Sequence, residues 1–393
     1  MRILVVNVFY APQMIGGATR VVADNVRDFH KDRRVQDVSV FCSLQGGTIE
    51  HMMRSYSTPE GPVYAVTATQ DPNVDFLLDD EKMRARIDAV LDQVQPDIIH
   101  FHCVQRLTSG IALVARDRAI PYVITMHDGW WISDRQFLVN EAGDIETYDY
   151  RDPDKTEAVF GSDAVKRQQA LWQALDGAAR ILTVSETFQQ VIEQHAGLKG
   201  VIAIPNGSRP MRALKKKPSE KLMIGYLAGI AHYKGYHQMR AAFMRGNHDQ
   251  IKLIVVDHAL RQNESYAEYW GATEVERIGF IPQAEVAKLY QRLNAVIVPS
   301  IWPESFGLVA REALQSGCWL IASNRGAAAE DVIEGKNGHV FDPGQAQDFD
   351  RVLAKLSREY EKYSNPPERP EIRTTQEQAD QLLTLYEEVL GAQ

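Results

Sequence analysis

The feature that most constrains this chain is a pattern that runs twice. Short apolar stretches alternate with amphipathic ones, the pattern stops at Pro205-Asn206-Gly207, and it then starts again. In the first run strands are predicted at residues 2–8, 38–43, 98–102, 122–127 and 180–184, with helices between them such as 19–30 and 81–94. A basic stretch with Lys215, Lys216, Lys217 and Pro218 reads as a linker. Strands are then predicted at 222–226, 252–256, 295–298 and 319–322, and helices near 236–244, 283–292, 305–315, 347–360 and 375–390. Alternation of this kind implies a parallel sheet with helices on both faces. The expected fold class is therefore α/β: two doubly wound Rossmann-like domains, residues 1–205 and 206–374, facing each other across a cleft. Such sheets bind ligands at the carboxyl ends of their strands, and two of them suit two substrates.

A length of 393 residues fits two domains. Cys42, Cys103 and Cys318 show no paired spacing, so neither a disulfide framework nor a zinc site follows, and a reducing, cytoplasmic setting fits. The apolar start MRILVVNVFYAP reads as a first buried strand, not a leader, and no apolar run approaches the ~20 residues of a membrane span. The net charge of −9 argues against nucleic-acid binding. Residues 1–205 hold 20 basic and 28 acidic side chains against 23 and 24 beyond, so strong adhesion of the first domain to anionic lipid is not expected. Weak peripheral contact with the inner face of a membrane stays compatible with these numbers.

The strongest signal is the run VIVPSIWPESFGLVAREALQSGCWLIAS, residues 296–323. A strand ends at Pro299, a loop follows, and a helix is predicted from Ser305. Glu304 and Glu312 stand in E-x7-E spacing. The amides of Gly307, Leu308 and Val309 lie at the helix start, where unpaired N–H groups suit a diphosphate. Two carboxylates beside a phosphate make sense as acceptors for sugar hydroxyls, Glu304 from a transferred sugar and Glu312 from a ribose. A lone E-x7-E would be only a helix start and a solvated face; the surrounding strand–Pro-Ser–Pro-Glu-Ser-Phe-Gly–helix context weighs against that.

These segments resemble glycosyltransferase family 4, the retaining GT-B enzymes also grouped as glycosyl transferases group 1. The resemblance covers nearly the whole chain and is strongest from 222 to 343, in LAGIAHYKGYH, VERIGFIPQAEVAKLYQRLNAVIVPS, the E-x7-E run and SNRGAAAEDVIEGKNGHVFDPG. It implies an enzyme that moves a sugar from a nucleotide-diphosphate donor, with UDP preferred to GDP, to a glycan or lipid-linked glycan in polysaccharide assembly. It further implies retention at the anomeric carbon, no essential metal or other cofactor, and a last helix that packs back on the first domain. Lys234 in HYKG matches the lysine that binds the donor diphosphate, a compact cation suited to offset leaving-group charge. Phe306 belongs to the same donor motif as Glu304 and Gly307. The family's arginine five residues before the lysine is replaced by Gly229, so that part of the phosphate clamp is either missing or supplied by another group such as His232 or Arg209.

In the first domain Gly16 and Gly17 match a donor-binding loop, where glycines admit close approach of phosphate or sugar. His127 at a strand end matches a histidine that contacts the donor sugar, and it is not read as a general base. Asp128, Trp130, Trp131 and Arg135 follow and are read as acceptor-side residues, with packing under a long inserted loop as the alternative for the tryptophans. Residues 326–330 read as a glycine-rich turn that admits sugar or base, with a plain loop as the alternative. His100 and His102 form an HxH without a third ligand, so a structural role outweighs a metal. The DxD matches at Asp152–Asp154 and Asp348–Asp350 follow no strand and are discounted. Two further functions stand beside the transferase: a nucleotide-sugar epimerase on the same architecture, and a non-catalytic sugar-nucleotide-binding protein motivated by Gly229.

Overall fold

The computed structural model describes residues 1–211 and 215–392. It divides into two compact units. Unit 1 comprises Met1–Leu138, Glu146–Gly207 and the segment from Arg373 onward. Unit 2 comprises Val139–Ile145 and Ser208–Ile372.

Unit 1 is built on an eight-stranded sheet of β1 Arg2–Asn7, β2 Asp37–Leu44, β3 Met53–Thr58, β4 Gly61–Thr67, β5 Ile98–Phe101, β6 Tyr122–Met126, β7 Arg180–Thr183 and β8 Ile202–Ala203. Their order is β3-β4-β2-β1-β5-β6-β7-β8. All neighbours are parallel except β3 and β4. Buried on both faces, the central strands need continuous apolar sequence, and Ile3, Leu4, Val5 and Val6 are fully buried. The helix Thr375–Gly391 is capped by Thr374, whose hydroxyl accepts from the Glu377 amide while the Glu377 carboxylate accepts from the Thr374 amide. Leu382, Leu383, Tyr386 and Val389 of that helix join Ile3, Val5, Val22 and Phe29 in one core.

Unit 2 carries β9 Leu222–Tyr226, β10 Ile251–Val256, β11 Ser265–Trp270, β12 Thr273–Ile278, β13 Ala295–Val298, β14 Trp319–Ser323 and β15 Gly338–Phe341. Their order is β11-β12-β10-β9-β13-β14-β15, parallel except for β11 and β12. This is the plan of unit 1 repeated strand for strand, without a counterpart of β8. In each unit the second strand is followed by an antiparallel edge hairpin. In each, the order reverses between the first strand and the fifth, at β1/β5 and at β9/β13. Such a reversal opens a crevice outside the carboxyl ends of the strands, where ligands bind in sheets of this class.

Candidate active site

In unit 2 the loops that leave β9 and β13 flank the reversal, and each delivers one charged side chain. After β9 the chain makes a single helical turn, His232–Lys234, and leaves it through Gly235 at φ +73°. A Cβ on Gly235 would sit 1.8 Å from the Pro299 carbonyl, so glycine is what lets the two loops touch. Lys234 Nζ then reaches Glu304 Oε1 at 2.6 Å, and Ser300 Oγ donates to the same oxygen at 2.6 Å. The ammonium also lies 5.1 Å from the centre of the Trp302 ring. Glu304 is 6% exposed. Burial works against its charged form, but the Lys234 charge and the hydrogen bonds from Lys234 and Ser300 outweigh burial and hold its carboxyl below the usual range.

The Glu304 backbone is held as firmly as its side chain. It bridges to Gly326, and its carbonyl accepts from the Ala327 amide at 2.7 Å. A Cβ on Gly326 would lie 2.3 Å from the Glu304 nitrogen. The turn at residues 326–330, expected to admit sugar or base, is thus filled at Gly326 by the Glu304 loop itself. Arg311 closes the arrangement from below. Its guanidinium donates to the Phe306 and Ala327 carbonyls, pairs with Glu330 and Asp331, and stacks 4.0 Å from the Phe306 ring centre. Phe306 is therefore a buried wall of this loop.

The helix expected from Ser305 starts at Leu308 and ends at Gln315, because Gly307 caps it in the left-handed conformation, φ +81° and ψ +64°. Leu308 and Val309 lie in the first turn, where amides lack acceptors within the helix. Glu312 is buried one turn further on and accepts from the Tyr290 hydroxyl at 3.0 Å and from Gln283 Nε2 at 3.4 Å. Gly229 takes φ +77°, and a Cβ there would lie 2.7 Å from His258 Cδ2. An arginine at this place would be strained and would displace His258, an exposed side chain that sequence reading alone did not single out.

In unit 1 the corresponding strand ends carry a glycine loop and a cluster of imidazoles, with Asp128 beside them. Gly16 takes φ +82° as the cap of the helix Gly17–His30, and the space where its Cβ would be is open to 4 Å. His102 Nδ1 lies 2.9 Å from His127 Nε2. The His100 ring stacks on His102 with centres 3.8 Å apart, while its own nitrogens meet Thr125 Oγ1 at 2.7 Å and the Tyr386 hydroxyl. The HxH pair thus has protein partners, and among the described residues no three His, Cys, Asp or Glu side chains converge to hold a metal. Burial pushes the pKa of His127 down to about 4 and that of His100 to about 3, and it lowers His102 well below the usual range.

The residues read as acceptor-side are placed differently from that expectation. Trp130 is 1% exposed; its indole donates to the Asp75 carbonyl at 2.6 Å, and Arg167 lies 4.7 Å from its ring centre. Trp131 is buried edge-on to Trp130, with ring centres 5.1 Å apart. Neither ring has a free face for a sugar, and packing under the loop accounts for both. The loop is also less open than expected, since it contains the helices Pro153–Phe160 and the start of Ser162–Asp176. Asp128 caps the turn Gly129–Trp131 and accepts from the Trp130 amide, Gln136 and Gln105. Burial raises its pKa, and those hydrogen bonds act in the other direction. Arg135 is exposed and pairs with Glu146 at 2.6 Å.

Comparison with known proteins divides along the same line as the two sheets. The model described as glycosyl transferases group 1 matches residues 208–370, and that described as glycosyltransferase family 4 matches 15–210. The chain belongs to this family of GT-B glycosyltransferases. Among curated relatives, the glycogen synthase of Mycobacterium tuberculosis is 26% identical over 86% of this chain and 81% of its own length. The lipopolysaccharide 1,2-N-acetylglucosaminetransferase of Salmonella typhimurium is 28% identical over 47% of this chain and 55% of its own. Among solved structures, sucrose-phosphate synthase from Thermosynechococcus elongatus matches with a TM-score of 0.64 at 16% identity, over 100% of this chain and 96% of that one. Anabaena HepE, solved in complex with UDP, matches at 0.61 and 17%, over 100% and 98%. These two share the GT-B fold.

For a glycosyltransferase of this fold, three further groups now stand beside the motif residues. Ser300 and Tyr290 orient the two glutamates, and His102 orients His127. Ser300 lies inside the quoted motif. Tyr290 also lies in a segment that resembles the family and His102 in the HxH, but their bonds to Glu312 and His127 become visible only in the folded chain.

Proposed function

We propose that this glycosyltransferase moves a sugar from a nucleoside-diphosphate donor, UDP in preference to GDP, to a glycan or lipid-linked glycan in cell-surface polysaccharide assembly on the cytoplasmic side, with retention and without a metal. One observation carries the reading: Lys234 and Glu304, 2.6 Å apart, stand together at the β9/β13 reversal. A cation for a diphosphate and an acceptor for sugar hydroxyls are the two partners a nucleotide sugar needs, and they are adjacent. Lys234 exchanges its bond to Glu304 for the diphosphate, and Glu304 turns to the transferred sugar. Glu312, fixed by Tyr290, takes the ribose hydroxyls.

In the retaining course the acceptor enters on the face the diphosphate leaves. Lys234 and the amides of Leu308 and Val309 stabilise the departing charge, and the leaving phosphate accepts the acceptor's proton. The UDP in the HepE structure supports UDP as the base to test first. Among the described residues no helix is long and apolar enough to cross a membrane, so a lipid-linked acceptor would be met at the membrane surface.

The test is NMR of the anomeric proton in the first product from an α-linked UDP-sugar. An α-linked product and release of UDP that requires acceptor are expected. A β-linked product overturns retention. An altered donor with no acceptor dependence points to an epimerase, and binding without turnover to a carrier. Activity abolished by EDTA and restored by Mg²⁺ overturns metal independence.

A further inference from the structure

We propose that His102 is a positioning residue that fixes the tautomer of His127, so that His127 offers an Nδ1–H to its ligand instead of a bare ring nitrogen. The ligand contact of His127 rests on the function proposed above; the tautomer does not.

The argument starts from a proton count. Two neutral imidazoles whose nitrogens lie 2.9 Å apart share one proton between them, so one donates and the other accepts. Burial keeps both rings neutral at pH 7. If His127 donated through Nε2, His102 would have to accept at Nδ1 and carry its own hydrogen on Nε2. That Nε2 is buried and has no partner among the described residues. A buried N–H with nothing to bond is rarer and costlier than an acceptor left with an unused lone pair. The favourable arrangement therefore puts the proton on His102 Nδ1, which donates to His127 Nε2. His127, being neutral, then carries its hydrogen on Nδ1.

The surroundings hold this choice in place. The His102 amide donates to the Val6 carbonyl at 2.9 Å, which ties the end of β5 to β1. His100 stacks on the His102 ring and is itself bonded at both nitrogens, on one side to Thr125 and on the other to Tyr386 of the last helix. His102 therefore cannot rotate to exchange its nitrogens without disturbing a layer that reaches the helix Thr375–Gly391. Nδ1 of His127 makes no hydrogen bond to a described residue, while the ring is 8% exposed. An Nδ1–H there suits an oxygen lone pair on a sugar hydroxyl or phosphate. It cannot take a proton, which separates a positioning or stabilising donor from a general base.

The experiment is long-range ¹H–¹⁵N correlation NMR on the full chain with labelled histidine at pH 7, without ligand, His127 being assigned by loss of its signals in His127→Gln. Protonated Nδ1 on His127 is expected, and protonated Nε2 overturns the proposal. Two variants extend the test to activity. His102→Asn can place a carboxamide N–H where Nδ1 stood, whereas His102→Phe removes the donor and keeps a ring. His102→Phe should give mixed His127 tautomers and lower kcat about tenfold, the cost of a lost buried hydrogen bond. His102→Asn should restore the single tautomer and most of kcat, and both should leave the Kd for UDP unchanged. Equal kcat losses in the two variants, or an unchanged tautomer in His102→Phe, overturn the positioning role. A chain with the expected tautomer that releases no UDP in the presence of acceptor would instead count against the proposed function alone.

Discussion

The two sheets follow one strand plan, yet the tips of their central strands are furnished in opposite ways. At β9/β13 unit 2 holds ionised groups, Lys234 and Glu304, each stabilised by the other at 2.6 Å. At β5/β6 unit 1 holds three imidazoles kept neutral by burial: His102 is bonded to His127, and His100, packed on the His102 ring, is bonded to two hydroxyl groups. On the proposed function, the difference is that between a site that meets a charged ligand and one that meets hydroxyl groups. A buried charge needs a partner, and each member of the Lys234–Glu304 pair provides one for the other. A buried neutral donor needs an acceptor but no counter-charge, so the unit 1 edge can be tightly packed. Strand order supplies the place in both units, and the loop residues supply the chemistry.

The contrast can be broken most strongly in unit 1 by Trp130→Ala. If Trp130 is packing, its loss should cost about 3–5 kcal/mol of stability, the range for emptying a buried aromatic site. Denaturant unfolding measures it, and the Kd for UDP in the folded fraction should stay unchanged. A stable variant with a raised acceptor KM would return the tryptophan to the acceptor.

In unit 2, Lys234→Ala should lower kcat by ~10²-fold or more, since it removes preorganised charge from the leaving group. It also leaves Glu304 buried without its cation, so thermal stability should fall with it. Lys234→Met, which fills the space without the charge, separates the two effects: a recovered melting temperature with kcat still low is expected. Recovery of both would mean that the pair is structural.

The proposal that the two glutamates divide the donor predicts somewhat smaller effects. Loss of a charged hydrogen bond is worth ~1.5–3 kcal/mol, or roughly 10- to 150-fold. Glu312→Ala should weaken UDP by that factor, and Glu304→Gln should spare UDP and lower turnover. Calorimetry with UDP decides it; equal affinity losses in both variants would end the division.

Legibility in the sequence followed the same physical divide. The central strands are buried on both faces and so read as unbroken apolar runs. The hairpins β3/β4 and β11/β12 lie at sheet edges, with mostly exposed or half-buried residues in β3 and β11, and their turns at Pro59-Glu60 and Gly271-Ala272 are not Asn-Gly or Asp-Gly signals. β3 and β11 left no apolar period to find, whereas β4 buries the continuous run from Val63 to Val66 and β12 alternates between buried and half-buried residues, so both carried a pattern that the prediction passed over. Glu304 and Glu312 could be singled out because their segment is complete within one strand, loop and helix, and Lys234 because its turn directly follows the apolar run of β9. The His102–His127 bond was not, since it needs the register of β5 on β6, where His100 faces Val123. For Trp130 and Trp131 the polar flank left acceptor contact and packing equally open, and the structure favours packing because Arg167, 37 residues further on, closes over Trp130.

The smallest effect tests whether the neutrality of unit 1 has a cost. A histidine with an ordinary pKa near 6.5 when unfolded and about 4 when folded, as for His127, binds its proton in the unfolded state first. Above about pH 6.5 both states are neutral and stability is complete. As pH falls from about 6.5 towards 4 the unfolded state takes up the proton and the folded state does not, so stability falls, by about 1.4 kcal/mol per pH unit for each such histidine. Glu304, whose carboxyl is held below its ordinary range, loses its contribution only below about pH 4.5, the unfolded range of a glutamate. Between pH 6.5 and 5 the loss should therefore fall mainly on unit 1, where burial also lowers His195, with His248 in unit 2 adding less because it is one shifted histidine against four. Hydrogen exchange, corrected for its intrinsic pH dependence and read separately for peptides from β5 and β13, measures the two units side by side. Protection of β5 should drop more than that of β13 between pH 7 and 5.5, and His100→Gln should reduce the difference. Equal losses in both strands would show that the buried imidazoles are protonated in place, and the contrast between a charged and a neutral site would fail.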